Sequence, residues 1–80
     1  MTEIRIDTEY IKLDAQLKFA NLTASGGEAK LRIAAGEVQV NGQPCAMRGK
    51  KLRSGDTVAL DGETVVIRTE QEGTGNGDQL

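Results

Sequence analysis

The chain contains no histidine, no tryptophan, one cysteine, one proline and only two aromatic residues, Tyr10 and Phe19. Each shortage excludes something. With no histidine and with Cys45 alone, there is no ligand set for zinc and no partner for an internal disulfide. No general base is identifiable near Cys45 and nothing places two carboxylates together, so neither catalysis nor a metal or cofactor is expected. Cys45 reads instead as a small, half-buried strand residue. No apolar run approaches the length of a membrane span or of a signal sequence. The expectation is a soluble, reduced protein of the cytoplasm, without a membrane partner.

So few rings leave packing to aliphatic side chains. The candidate core is Ile4, Ile6, Ile11, Leu13, Leu17, Leu22, Leu31, Ile33, Val38, Val40, Leu52, Val58, Leu60, Val65 and Ile67, with Phe19 assigned to it as well. Eighty residues suffice for one small domain. It is expected over residues 1–69, acting as a monomer. Residues 70–80 read as an acidic tail expected to be disordered.

What the chain does have is segregated charge. Formal net charge is −2, yet Lys12 to Arg53 carries eight cations against Asp14, Glu28 and Glu37, a net of +5, and the remainder carries −7. Screening limits electrostatic reach to about 8–10 Å at physiological salt, so an anionic partner meets the local patch rather than the total. The cations of that middle segment include Lys12, Lys18, Lys30, Arg32, Arg48, Lys50, Lys51 and Arg53.

Local signals give an order of elements. Glu3 to Asp7 alternates around Ile4 and Ile6 as a short edge strand. Leu13, Leu17 and Ala20 fall on one face of a helix running from Lys12 to about Ala20. Ser25 and Glu28 have the spacing of a capping box opening a second helix, about Gly26 to Ala35, and Gly36 stands where a left-handed cap would end it. That helix is apolar around most of its circumference, with Ala29 and Ile33 on one stripe and Leu31, Ala34 and Ala35 on another, which predicts packing on two sides. Glu28 and Arg32 form an i, i+4 pair. Val38 and Val40 alternate as a half-buried strand, Asn41-Gly42 suits a type I′ turn, and Gln43 to Ala46 returns with Pro44 at an edge position. Arg48 to Gly55 reads as a polar loop, and Thr57 to Leu60 with Glu63 to Arg68 as a second hairpin around Asp61-Gly62.

Taken in order, Lys12-Leu13-Asp14 with Leu17, S-x-x-E-A from Ser25 to Ala29, Ile33, Gly36, V-x-V-N-G from Val38 to Gly42, and Gly55-Asp56 resemble one family. It is the alpha-L RNA-binding motif, or S-four-like RNA-binding domain, in its short stand-alone bacterial form, and the match runs from about Lys12 to Leu60. The resemblance implies an α+β fold, with two helices against a small twisted antiparallel β-structure of four to five short strands. It also implies RNA binding near the helix pair and the following hairpin. Lys30, Glu37, Asn41 and Gly42 match the family pattern. Lys12 and Gly26 stand where family members commonly carry arginine, so Gly26 removes a cation from the usual contact surface.

The expected RNA-binding residues are Lys12, Lys18, Ser25, Gly26, Gly27, Lys30, Asn41, Arg48, Lys50, Lys51 and Arg53. Gly26-Gly27 would let a phosphate approach the free N–H groups of a helix start, or else let the preceding connection pack closely against its neighbours. The run from Arg48 to Arg53 has no compensating acid and would follow a phosphate backbone. Asn41 reads chiefly as a turn residue. With Tyr10 the one ring available for stacking, recognition by shape of structured RNA, ribosomal RNA or a ribosome precursor, fits better than gripping of loose strands. The rival expectation is a protein-interaction adaptor that keeps the fold with weak RNA affinity, supported by the overall acidity and by Gly26.

Overall fold

The structure, a computed structural model, describes residues 2–69; the acidic tail expected at 70–80 lies outside them. In chain order the elements are β1 (Thr2–Ile6), β2 (Ile11–Lys12), α1 (Leu13–Phe19), α2 (Gly26–Ala34), β3 (Gln39–Val40), β4 (Gln43–Pro44), β5 (Lys51–Leu52), β6 (Thr57–Leu60) and β7 (Glu63–Thr69). Two hairpins organise the larger sheet. Asn41 and Gly42 adopt φ of 52° and 83°, Asp61 and Gly62 φ of 54° and 84°. These are the paired left-handed conformations of a type I′ turn, whose twist matches that of the flanking strands. The first turn sets Val40 opposite Gln43, the second sets Leu60 opposite Glu63.

The five-stranded sheet has the order β1-β7-β6-β3-β4, and β2 and β5 form a separate two-stranded ribbon. All pairs are antiparallel except β1 with β7, which run parallel with Thr2 opposite Val65 and Ile6 opposite Thr69. The expectation of a wholly antiparallel arrangement is corrected at that edge. No turn joins these two strands, and a chain that passes through both helices between them is free to enter in either direction. The short ribbon departs from expectation as well: the polar loop expected from Arg48 to Gly55 contains β5, and Leu52 within it is fully buried.

Leu13, Leu17, Ala29, Ile33, Val38, Leu52, Val58 and Ile67 make a core between the helix pair and the sheet, with Ile4, Ile11, Leu22 and Cys45 packed at its margin. The α2 cap forms largely as the spacing requires. Ser25 Oγ accepts from the Glu28 N–H at 3.2 Å, while Glu28 Oε1 accepts from Ala24 N–H at 2.8 Å, one residue before the usual donor. Gly36 ends the element at φ 77°.

Two core assignments, Leu31 and Phe19, and the two-sided packing of α2 are corrected. Only Ala29 and Ile33 of α2 are buried, whereas Leu31 is 72% exposed and Ala34 and Ala35 face solvent. The helix has one packed side because no second layer covers the other. Phe19 is 56% exposed. It lies two residues beyond Leu17, on the far side of a helix with about 3.6 residues per turn. The third buried position of α1, beside Leu13 and Leu17, belongs to Gln16, whose side-chain amide finds no hydrogen-bond partner among the described residues.

Candidate nucleic-acid interface

The start of α1 lacks a side-chain cap, since Lys12 occupies the N-cap position and offers no acceptor. Its first N–H groups are satisfied by the basic segment instead. Leu13 N–H donates to the Lys50 carbonyl at 2.9 Å and Asp14 N–H to the Arg48 carbonyl at 3.2 Å. Orphan donors at a helix start need such partners. Here the partners are residues some 35 positions away whose side chains are cationic. The same docking pairs Ile11 with Leu52 and Lys12 with Lys51. Lys12, Arg48, Lys50 and Lys51 thereby gather around one helix start, and Arg53, just beyond β5, meets Lys51 at the Tyr10 ring. Lys51 Nζ stands 4.8 Å and the Arg53 guanidinium 5.6 Å from the centroid of the Tyr10 ring.

The division of the cations into paired and unpaired is sharp. Arg5 and Arg68 bind Glu3, and Arg32 binds Glu28, Glu37 and Asp61. Lys12, Lys18, Lys30, Arg48, Lys50, Lys51 and Arg53 make no ion pair among the described residues, and all seven are exposed. Arg32 is tied more firmly than its i, i+4 pairing with Glu28 foretold. Its hydrogen bonds to Asp61 and then Glu37 raise its pKa further above the ordinary arginine value, and they brace the C-terminal part of α2 against the β6–β7 turn.

The remaining expected residues occupy three places. Lys18 lies in the last turn of α1, where its charge also suits the helix dipole. Ser25 caps α2, and Gly26, Gly27 and Lys30 lie on that helix near its open start. A Cβ built on Gly26 would meet nothing within 4 Å, and one on Gly27 only Ser25 Oγ at 3.8 Å. Close packing therefore does not account for the glycine pair. Asn41 is committed to the fold: its Nδ2 donates to Asp56 Oδ1 at 3.1 Å and its Oδ1 accepts from Thr57 N–H at 3.0 Å. Asp56 Oδ2 in turn accepts from the Arg53 N–H at 2.8 Å, so Asn41 acts on the basic segment through Asp56.

The β2–β5 ribbon that builds this patch was beyond sequence reading, because two-residue strands leave no periodicity. The alternation of Lys51 and Arg53 about Leu52 was the available signal. Cys45 is half-buried, its thiol 3.9 Å from the Met47 carbonyl. No helix among the described residues is long and apolar enough to cross a membrane.

A small α+β module that gathers five of the seven cations unpaired among its described residues around the start of α1, and pairs its other cations with acids, presents a surface suited to a polyanion. The S4 domain family matches residues 4–68, and the chain belongs to that family. It is similar to the probable ribosome maturation protein RlbA of Bacillus subtilis (strain 168), 48% identical over 59 residues that make up 74% of this chain and 83% of RlbA. Its fold is similar to the solution structure of YbcJ from E. coli, a protein described as showing an αL motif involved in RNA-binding. That match has a TM-score of 0.66 at 29% identity and covers 85% of this chain and 87% of YbcJ.

Proposed function

We propose that this chain is a non-catalytic RNA-binding protein of the cytoplasm that engages structured RNA, ribosomal RNA or a ribosome precursor, through the patch of Lys12, Arg48, Lys50, Lys51 and Arg53. The carrying observation is that these cations, with Lys18 and Lys30, make no ion pair among the described residues, whereas Arg32 pairs with three acids and Arg5 and Arg68 share Glu3. Free cations held together by backbone bonds favour phosphates over isolated carboxylates, since each phosphate contact also releases a condensed counterion. Membership of the S4 family and similarity to RlbA and YbcJ support the reading.

The test is binding to ribosomal RNA fragments across a salt series. Four phosphate contacts on a duplex-like site give a slope of log affinity against log salt of about −3 to −4. Reversing Lys50 and Lys51 to glutamate weakens binding strongly and removes about half of that slope in a folded protein. Unchanged affinity in the folded double variant removes the segment from the site.

Beside the overall acidity and Gly26, the structure adds one observation in favour of the adaptor reading, the exposure of Phe19, Leu31 and Met47. A protein partner retained after nuclease treatment, with no RNA co-purifying, supports that alternative.

A further inference from the structure

Tyr10 is the chain's single tyrosine, and it stands at the inner edge of the cationic patch rather than in the core. Its backbone is fixed from both sides. Thr8 Oγ1 donates to the Tyr10 carbonyl at 2.8 Å, and the next residue, Ile11, pairs with buried Leu52. The ring is half-buried and carries Lys51 Nζ at 4.8 Å and the Arg53 guanidinium at 5.6 Å from its centroid. No carboxylate pairs with either cation among the described residues. Two like charges converging on one ring repel each other, and the attraction of an exposed cation to a ring is weak. An anion that draws both cations off the ring relieves the repulsion and uncovers the ring face they stand over.

We propose that Tyr10 is a stacking platform for one unpaired nucleobase of the bound RNA, set beside a phosphate site formed by Lys51 and Arg53. The inference rests on the RNA reading above and narrows its ligand class. A nucleotide whose phosphate meets these two cations has its own or its neighbour's base within reach of the ring. A base inside a duplex has both faces covered by its neighbours, whereas a bulged or flanking base can turn a face to an aromatic side chain. The ligand is therefore a folded RNA whose helix carries an unpaired nucleotide, with the stem on the wider patch and that nucleotide on Tyr10.

Two RNA hairpins with the same stem test this, one fully paired and one with a single bulged adenosine. Affinity is followed by anisotropy of an end label. Tyrosine emission is followed separately, and with no tryptophan in the chain it belongs to Tyr10 alone. The bulged hairpin is expected to bind about tenfold or more tightly than the paired one and to quench that emission. Tyr10→Phe keeps the preference. Tyr10→Ala loses it while still binding the paired stem. Equal affinity for the two hairpins in the unaltered chain overturns the stacking platform and leaves RNA binding standing, as does a preference that survives Tyr10→Ala. Failure of both hairpins to bind at low salt overturns the RNA reading and this inference with it. Should Tyr10→Ala not fold, the comparison of hairpins and the emission change on the unaltered chain decide the matter.

Discussion

Lys12 and Lys51 are cross-strand partners in the two-residue ribbon, two ammonium-bearing side chains set directly opposite each other with no acid paired to either among the described residues. Like charges in that position destabilise a sheet. Replacing Lys12 with glutamine removes the repulsion and leaves the Lys51–Tyr10 contact in place. Stability is expected to rise by a few tenths to about 1 kcal/mol, seen as a rise in Tm of several degrees. RNA affinity is expected to fall, with the salt slope shallower by about 1. A variant less stable than the parent removes the repulsion argument.

Gly26 offers open space for a side chain at the first position of α2. Gly26→Arg gains helix propensity of up to about 1 kcal/mol, but places a cation at a helix start, which costs about 0.3–1 kcal/mol. The two offset, and urea denaturation is expected to find stability within about 0.5 kcal/mol of the parent. RNA binding tightens, and its salt slope steepens by about 1 if the arginine reaches a phosphate. An unchanged slope places the start of α2 away from the RNA.

Asn41 combines a left-handed backbone, φ 52°, with side-chain hydrogen bonds to Asp56 and Thr57. Asn41→Ala is expected to cost about 2 kcal/mol, part from the strained backbone and part from the lost bonds. Asn41→Gly relieves the strain and recovers about half of it. Both variants are expected to bind RNA more weakly than their stability explains, because Asp56 then loses a partner that holds it on the Arg53 N–H. Full affinity in a folded Asn41→Gly variant separates Asn41 from the basic segment.

Gln16 is wholly buried, and neither amide atom is hydrogen-bonded among the described residues. Methionine has a similar length and no group that needs a partner. Gln16→Met is expected to stabilise the protein by about 1–2 kcal/mol, with RNA affinity unchanged. Thermal melting checks the first outcome and a binding titration the second.

Features specified by neighbouring residues were legible in the sequence. The Ser25 cap, the Gly36 stop and the turns at Asn41-Gly42 and Asp61-Gly62 each depend on a few adjacent side chains and on φ values that asparagine, aspartate and glycine tolerate. Pairings between distant segments were not. Nothing in Ile11-Lys12 announces Lys51-Leu52, and nothing in Thr2–Ile6 announces a parallel seat beside β7. The number of apolar residues on α2 suggested two packed sides, but exposure of Leu31 follows from how many layers the fold has, which composition does not reveal. Among the site residues, the cations were legible as a charge excess, and their assembly around α1 was not.

The bonds from Leu13 and Asp14 to the carbonyls of Lys50 and Arg48 bear on the thermodynamics of recognition. A loop anchored by its own backbone cannot swing to meet a ligand, so its conformational entropy is already lost before encounter. If RNA binds at this patch, it meets cationic side chains whose backbone anchors are already fixed, and only their rotamers remain to be ordered. Docking on that patch would then be close to rigid-body at the level of the backbone, with discrimination falling on an RNA whose phosphates lie within reach of those anchored side chains.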